Sequence, residues 1–220
     1  MNILQDFPVK KSELCQLMLK YGSDKGHPEN KSRHNYTHVY SALFEPIRKN
    51  SIRLFELGIG SNNSAIPSNM STRGRPGASL RAWREYFPKG SIFGADIDVF
   101  CIMTENRLKT YYCDQTKPEV IANLWQHDPL LHEEFDILIE DGLHTFEANR
   151  CFFEASCHKL KVGGVYCIED IETKNLLKFA ELIETWKQAY GARYQYRLLK
   201  LAPSNTSVTD NNLLLIQRIE

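Results

Sequence analysis

From residue 51 onward, short β-branched and apolar runs alternate with helical stretches, and that alternation leaves few folds open. IRLFELG, SIFGADI, LKTYYCD, FDILIED and GGVYCIED read as strands; SLRAWREYF, PEVIANLWQH, TFEANRCFFEASCHKL and NLLKFAELIETWKQAYG read as helices. A strand, a crossover and a further strand pack right-handed onto one sheet, so the expected core is α/β, a parallel sheet with helices on both faces. YQYRLLKLA and NNLLLIQRI have no helix between them and read as an antiparallel hairpin joined by PSNTSVTD. Before residue 51, Ser12 is placed to cap an amphipathic helix over 12–21, the polar segment YGSDKGHPENKSRHNY ends it, and THVYSALFEPIRK resumes a helical pattern. The expected organisation is a helical cap and lid over 1–50 on a core over 51–220.

Composition narrows the partners. With 27 basic and 27 acidic side chains the net charge is zero, so no overall field draws the chain to nucleic acid or to a membrane surface. No unbroken apolar stretch reaches the roughly 18 residues of a membrane span. The start, MNILQDFPVKKSEL, lacks the apolar run of a secretory leader. A cytoplasmic chain is expected. The six cysteines show neither C-x-x-C nor zinc spacing and read as buried thiols of a reducing compartment.

In an open parallel sheet, ligands bind beyond the carboxyl ends of the strands, and every such end here carries acid. The first delivers Glu56-Leu57-Gly58-Ile59-Gly60, the second Asp96 and Asp98, the third Asp114-Gln115, the fourth Asp141 and His144, the fifth Glu169-Asp170. Gly58 and Gly60 let backbone pass close to a ligand, a signal that tight strand-to-helix packing explains equally well. Asn63 stands where G-x-G-x-x-G needs its third glycine, which weakens a nicotinamide dinucleotide reading, and no phosphate loop of the G-x-x-x-x-G-K-[ST] type occurs. Asp96 is placed to accept hydrogen bonds from ribose hydroxyls. Asp98 reads as an exposed helix N-cap. Acid at all five ends suits a cofactor that lacks phosphates and carries positive charge, a description that S-adenosylmethionine meets.

Asp141, Glu169 and Asp170 fall on neighbouring strands, where three unpaired carboxylates would repel one another and a divalent cation would remove the conflict. Hard oxygen donors favour Mg2+, with Mn2+ or Ca2+ as substitutes. His144, three residues after Asp141, can face the same pocket and take a proton from a substrate hydroxyl. The segment SNNSAIPSNMSTRGRPGA, between the first strand and its helix, is too long for an ordinary connection and reads as either a functional loop or a surface insertion.

YGSDKG followed by HNYTHVY, then FELGIG, SLRAWREYFPKGSIFGADID, CDQT, FDILIEDGLH and KVGGVYCIEDIET together resemble the metal-dependent O-methyltransferases of macrolide deoxysugars. The mycinamicin and tylosin sugar methyltransferases and the cephalosporin hydroxylase-like proteins belong to that broader group. The resemblance runs over about residues 20–175. It implies a Rossmann-like class I methyltransferase fold, with a mostly parallel seven-stranded sheet ending in the antiparallel hairpin. It also implies Asp141, Glu169 and Asp170 as metal ligands and His144 as base. Glu56 and Gly58 would line the methionine end of the cofactor, Asp96 the ribose, and Asp114 and Gln115 the adenine. Tyr36 and Thr37 would close over the cofactor, and Ser79 starts the helix after the long loop. Glu140 and Leu143 stand where the family more usually has the Asp and Ser of DDGSH, the long loop lacks a compact glycine pattern, and no separate N-terminal domain like that of some relatives is expected.

The expected function is methyl transfer from S-adenosylmethionine to a sugar hydroxyl, assisted by Mg2+ (or Mn2+), on a glycan, nucleotide sugar or natural-product glycoside. A homo-oligomer is expected, with neither nucleic acid nor membrane as partner. Two alternatives stand beside it: a metal-dependent hydroxylase of the cephalosporin hydroxylase-like group, and a non-catalytic homologue that keeps the cofactor pocket.

Overall fold

The computed structural model describes residues 1–8, 11–26, 34–202 and 208–220. Part of the expected lid segment, 27–33, and of the hairpin connection, 203–207, lies outside the described residues. Ahead of the sheet come α1 (Glu13–Tyr21) and α2 (Thr37–Phe44). The Ser12 hydroxyl accepts from the Cys15 amide as the expected N-cap, and Gly22, with φ 89°, closes the other end of α1.

The strands and helices of the core follow in the order β1 (Arg53–Leu57), α3 (Ala78–Tyr86), β2 (Ser91–Asp96), β3 (Thr104–Glu105), β4 (Leu108–Tyr112), α4 (Pro118–His127), β5 (Phe135–Glu140), α5 (Phe146–Ser156), β6 (Leu160–Ile168), α6 (Leu176–Tyr190), β7 (Tyr194–Lys200) and β8 (Asn212–Arg218). They form one sheet in the order β3-β4-β2-β1-β5-β6-β8-β7. Pairing is parallel from β4 to β6, and β7 and β8 form the expected antiparallel pair, β8 lying against β6. One strand exceeds the expected seven: β3, two residues long and antiparallel to β4, borders the sheet.

Alternation along the strands builds two cores. Leu54, Ile92, Ile137, Ile139 and Val165 point into a layer with Leu14 and Met18 of α1, Val39 and Phe44 of α2, and Trp83 of α3. Phe55, Phe93, Leu138 and Tyr166 point the other way, toward Leu124 and Trp125 of α4, Phe152 and Phe153 of α5, and Trp186 of α6. A sheet covered on both faces is what continuous apolar strands such as FDILI require. None of the six cysteines is in a disulfide; five are buried, and Cys151 is only half-buried. Among the described residues no helix is long and apolar enough to cross a membrane.

Candidate active site

A cavity of about 660 Å³ lies at the carboxyl ends of the parallel strands. Gly58, Asp96, Asp114 and Gln115, Asp141 to His144, and Asp170 line it from the ends of β1, β2, β4, β5 and β6. The long loop after β1 contributes Ile66, Pro67, Ser68, Asn69, Met70 and Arg73, and the N-terminal segment contributes Lys25 and His34. The loop is tied down: the Met70 amide donates to the Ser61 carbonyl at 2.8 Å and the Ser68 hydroxyl to the Leu143 carbonyl at 3.2 Å.

The ends of β1 and β5 meet closely. The Asp141 amide donates to the Leu57 carbonyl at 2.9 Å, and a Cβ on Gly58 would stand 1.9 Å from the Asp141 carbonyl oxygen. With φ 81° as well, position 58 admits only glycine without displacing Asp141. His144 and Asp170 have φ 59° and 53°, left-handed backbone that non-glycine residues adopt at a cost of roughly 1–3 kcal/mol each. Such strain persists where surrounding structure enforces it, and here both strained residues face one spot.

That spot is a cluster in which one ligand atom from each of Asp141, His144 and Asp170 lies within 4.8 Å of the others. His144 Nε2 is 3.2 Å from Asp141 Oδ1 and 3.4 Å from Asp170 Oδ2. Burial works against the imidazolium, yet the hydrogen bond to Asp141 and the charges of Asp170 and Asp141 outweigh it and raise the His144 pKa to about 10. Burial, with the Asp141 charge, pushes Asp170 up to about 6. Burial also opposes ionisation of Asp141, but Lys25 and His144 hold its carboxyl well below the usual range.

Beneath the cavity sits a second set of acids. Lys25, 2% exposed, places its Nζ 2.5 Å from Asp141 Oδ2, 2.5 Å from Glu169 Oε2 and 3.3 Å from Glu56 Oε1. Burial disfavours this ammonium, but Asp141, Glu169 and Glu56 keep its pKa well above the ordinary value. Glu169 also receives the Tyr40 hydroxyl at 2.5 Å, and Glu56 receives Ser79 Oγ at 2.7 Å and Trp83 Nε1 at 2.6 Å. Burial and one ammonium shared among three carboxylates leave Glu169 and Glu56 with raised pKa values. Glu140 is buried too, accepting from Gln115 Nε2 at 2.9 Å, from the Gly142 amide at 3.2 Å and from Asn149 Nδ2.

Eight of the expected site residues therefore line the cavity: Gly58, Ser79, Asp96, Asp114, Gln115, Asp141, His144 and Asp170. Tyr36, Thr37, Glu56 and Glu169 do not; all four are buried. The Tyr36 hydroxyl donates to Asp170 Oδ1 at 2.5 Å, and the Thr37 side chain packs on Gly26. Asp96 accepts from the Ile59 amide at 2.9 Å and the Asp98 amide at 3.0 Å, while Gln115 Oε1 accepts from the Leu143 amide at 2.7 Å and so joins the ends of β4 and β5. Asp114 accepts from the Thr116 amide at 3.0 Å and lies 3.1 Å from Lys117 Nζ. Asp98 does cap a helical turn, accepting from the Phe100 amide at 3.0 Å, but it is buried rather than exposed because the Ser61 hydroxyl also donates to it. Lys25 and Tyr40 escaped the reading of the sequence; the mark Lys25 leaves there is its place inside YGSDKG.

Two aspartate carboxylates converge beside His144 at the border of the cavity, and their oxygen donors fit a hard divalent cation.

No family model matches the chain. Curated relatives do. The L-olivosyl-oleandolide 3-O-methyltransferase of Streptomyces antibioticus is 32% identical over 73% of this chain and 37% of its own length. The demethylmacrocin O-methyltransferase of Streptomyces fradiae is 32% identical over 78% of this chain and 40% of its own. The chain thus spans well under half the length of these relatives. Among solved structures, the MycE methyltransferase of the mycinamycin biosynthetic pathway, in complex with Mg, SAH and mycinamycin VI, matches 96% of this chain and 55% of its own. The TM-score is 0.70 at 23% identity, a likeness of fold. Over about three-quarters of its length the chain is thus similar in sequence to these O-methyltransferases, and it shares the Rossmann-like fold of MycE.

Proposed function

We propose that this protein is an S-adenosylmethionine-dependent, Mg2+-assisted O-methyltransferase acting on a hydroxyl of a sugar, in a glycan, nucleotide sugar or natural-product glycoside. The observation that carries the proposal is the convergence of Asp141, His144 and Asp170 on a cavity at the switch region of a methyltransferase sheet. Relatives whose names describe methylation of sugar hydroxyls support the acceptor class. The N-terminal part, 1–50, belongs to the working unit in this reading because Lys25 and His34 line the cavity.

Asp141 and Asp170 would hold the divalent ion, with Glu169, one residue before Asp170, as the third ligand that the family resemblance implies. Gly58, Ser79, Asp96, Asp114 and Gln115 would form the cofactor wall. When bound, the cofactor supplies an electrophilic methyl group and the ion supplies positive charge that lowers the pKa of a coordinated hydroxyl. The chain's own part is to orient and to move the proton. His144 Nε2, next to both aspartates, is placed to accept the hydroxyl proton, an effect worth about 10² to 10⁴ in rate. It can do so only once it has given up the proton that Asp141 and Asp170 now stabilise on it. The loop over 61–77 lines the same cavity and would shield the reaction from water.

Calorimetry with S-adenosylmethionine, followed by methyl-transfer assays on rhamnosyl and other deoxysugar glycosides with and without Mg2+, tests the reading. Cofactor binding and turnover that stops in chelator are expected. Equal turnover in excess chelator would remove the metal role, and absence of cofactor binding would remove the methyltransferase assignment.

A further inference from the structure

Each aspartate of the cluster gives one oxygen to a group from the N-terminal segment and turns the other toward His144. Asp141 gives Oδ2 to Lys25 Nζ at 2.5 Å and turns Oδ1 toward His144. Asp170 takes the Tyr36 hydroxyl on Oδ1 at 2.5 Å, leaving Oδ2 on the His144 side. The Tyr36 oxygen also accepts from the Asp170 amide at 3.2 Å, so one hydroxyl grips both the side chain and the strained backbone of that residue.

Both holding groups are buried, at 2% and 1% exposure, and both come from one short piece of chain. The Thr37 amide donates to the Lys25 carbonyl at 3.1 Å, and Gly26 bridges Asn35 in antiparallel fashion. A Cβ on Gly26 would lie 1.9 Å from Thr37 Oγ1, so the two stems approach as closely as they do because residue 26 is glycine. The backbone that carries Lys25 and the backbone that carries Tyr36 are thereby held against each other.

Resting on the function proposed above, we propose that Lys25 and Tyr36 are positioning residues that select which oxygen of Asp141 and of Asp170 is presented to the divalent ion. A carboxylate free to rotate offers either oxygen and must be immobilised when the ion binds; one pinned by a partner has already lost that freedom. Charge alone makes the opposite forecast for Lys25. Deleting an ammonium beside three carboxylates would strengthen cation binding, whereas deleting an orienting group weakens it, and the sign separates the two.

The test is Mn2+ binding to the full chain, followed by electron paramagnetic resonance, for the wild type, Tyr36→Phe, Lys25→Met and Lys25→Arg. S-adenosylmethionine affinity without metal and the thermal midpoint are measured on the same samples. Tyr36→Phe and Lys25→Met should each raise the Mn2+ dissociation constant by about 10- to 100-fold, the range found when partners of metal ligands are removed. Cofactor affinity should not change, and Lys25→Arg should recover part of the loss because it keeps charge and donors. Tyr36→Phe keeps the ring and carries the test should Lys25→Met fail to fold. Unchanged or tighter Mn2+ binding in folded Tyr36→Phe and Lys25→Met overturns the inference. So does a Tyr36→Phe variant that loses cofactor affinity alone, which would return Tyr36 to the cofactor site. A wild type that binds neither Mn2+ nor cofactor would instead sink the underlying function.

Discussion

Glutamates and aspartates share the same end of the sheet but occupy different surroundings. Glu56, Glu140 and Glu169 are at most 1% exposed, and their carboxylates are engaged by Lys25, Tyr40, Trp83, Ser79, Gln115 and Asn149. Asp96, Asp114, Asp141 and Asp170 all line the cavity. The two methylene groups of glutamate let a residue at the strand tip reach back under the floor and tie elements together. The single methylene of aspartate keeps its carboxylate at the wall. One set of acids braces the site, and the other is left to act in it.

Glu169 is the residue on which this contrast can break, because family resemblance makes it a ligand and its contacts make it a brace. Glu169→Leu should cost about 3 kcal/mol of stability in denaturant unfolding, the low end for breaking a buried pair, since Lys25 keeps Asp141 and Glu56. Asp170→Asn should behave oppositely. The amide is the same size and keeps an oxygen for the Tyr36 hydroxyl, so stability should change little. Turnover should fall by about 100-fold or more through the loss of charge that holds the cation. A Glu169→Leu protein that keeps its stability while losing Mg2+-dependent turnover would move Glu169 from brace to ligand.

A smaller but more direct effect is expected at His144. Its pKa is raised from 6.5 to about 10 in the ion-free protein, so its ion pairs contribute stability fully below pH 6.5. That contribution is lost as pH rises through about 10. Mg2+ on Asp141 and Asp170 would withdraw the charge that holds the proton, and the His144 pKa should drop toward the neutral range, where a base is useful. Imidazole resonances followed by NMR against pH, with and without Mg2+, read this shift. An unchanged titration in saturating Mg2+ would separate His144 from the ion.

The strands and their order of appearance were legible because alternation and apolar runs are local signals, as in FDILIE of β5. β3 was not, because two residues are too few for any period to show. In the site, the residues at strand tips were legible since topology brings those tips together. What could not be read was reach. Lys25 meets Asp141 across 116 positions and Glu169 across 144, and Tyr40 meets Glu169 across 129. Nothing in YGSDKG distinguishes a lysine destined for the floor of a cavity from one in a solvated turn. Asp98 shows the same limit from the other side: its capping role is local and was read, whereas its burial depends on Ser61, 37 positions away, and was not.

Ser79 stands on the border between the two acid sets, and the smallest expected effect falls there. It lines the cavity in the first turn of α3, yet its hydroxyl is spent on Glu56 Oε1 at 2.7 Å. Glu56 retains Trp83 Nε1 and Lys25, so Ser79→Ala removes one bond of several and should cost about 1 kcal/mol, the ordinary net value of a hydrogen bond. If Ser79 belongs with the braces, that cost appears in denaturant unfolding while S-adenosylmethionine affinity, measured by calorimetry, stays unchanged. If it belongs with the cavity wall, affinity falls and the unfolding midpoint holds, because a hydroxyl that a ligand needs would then be doing more than tethering Glu56.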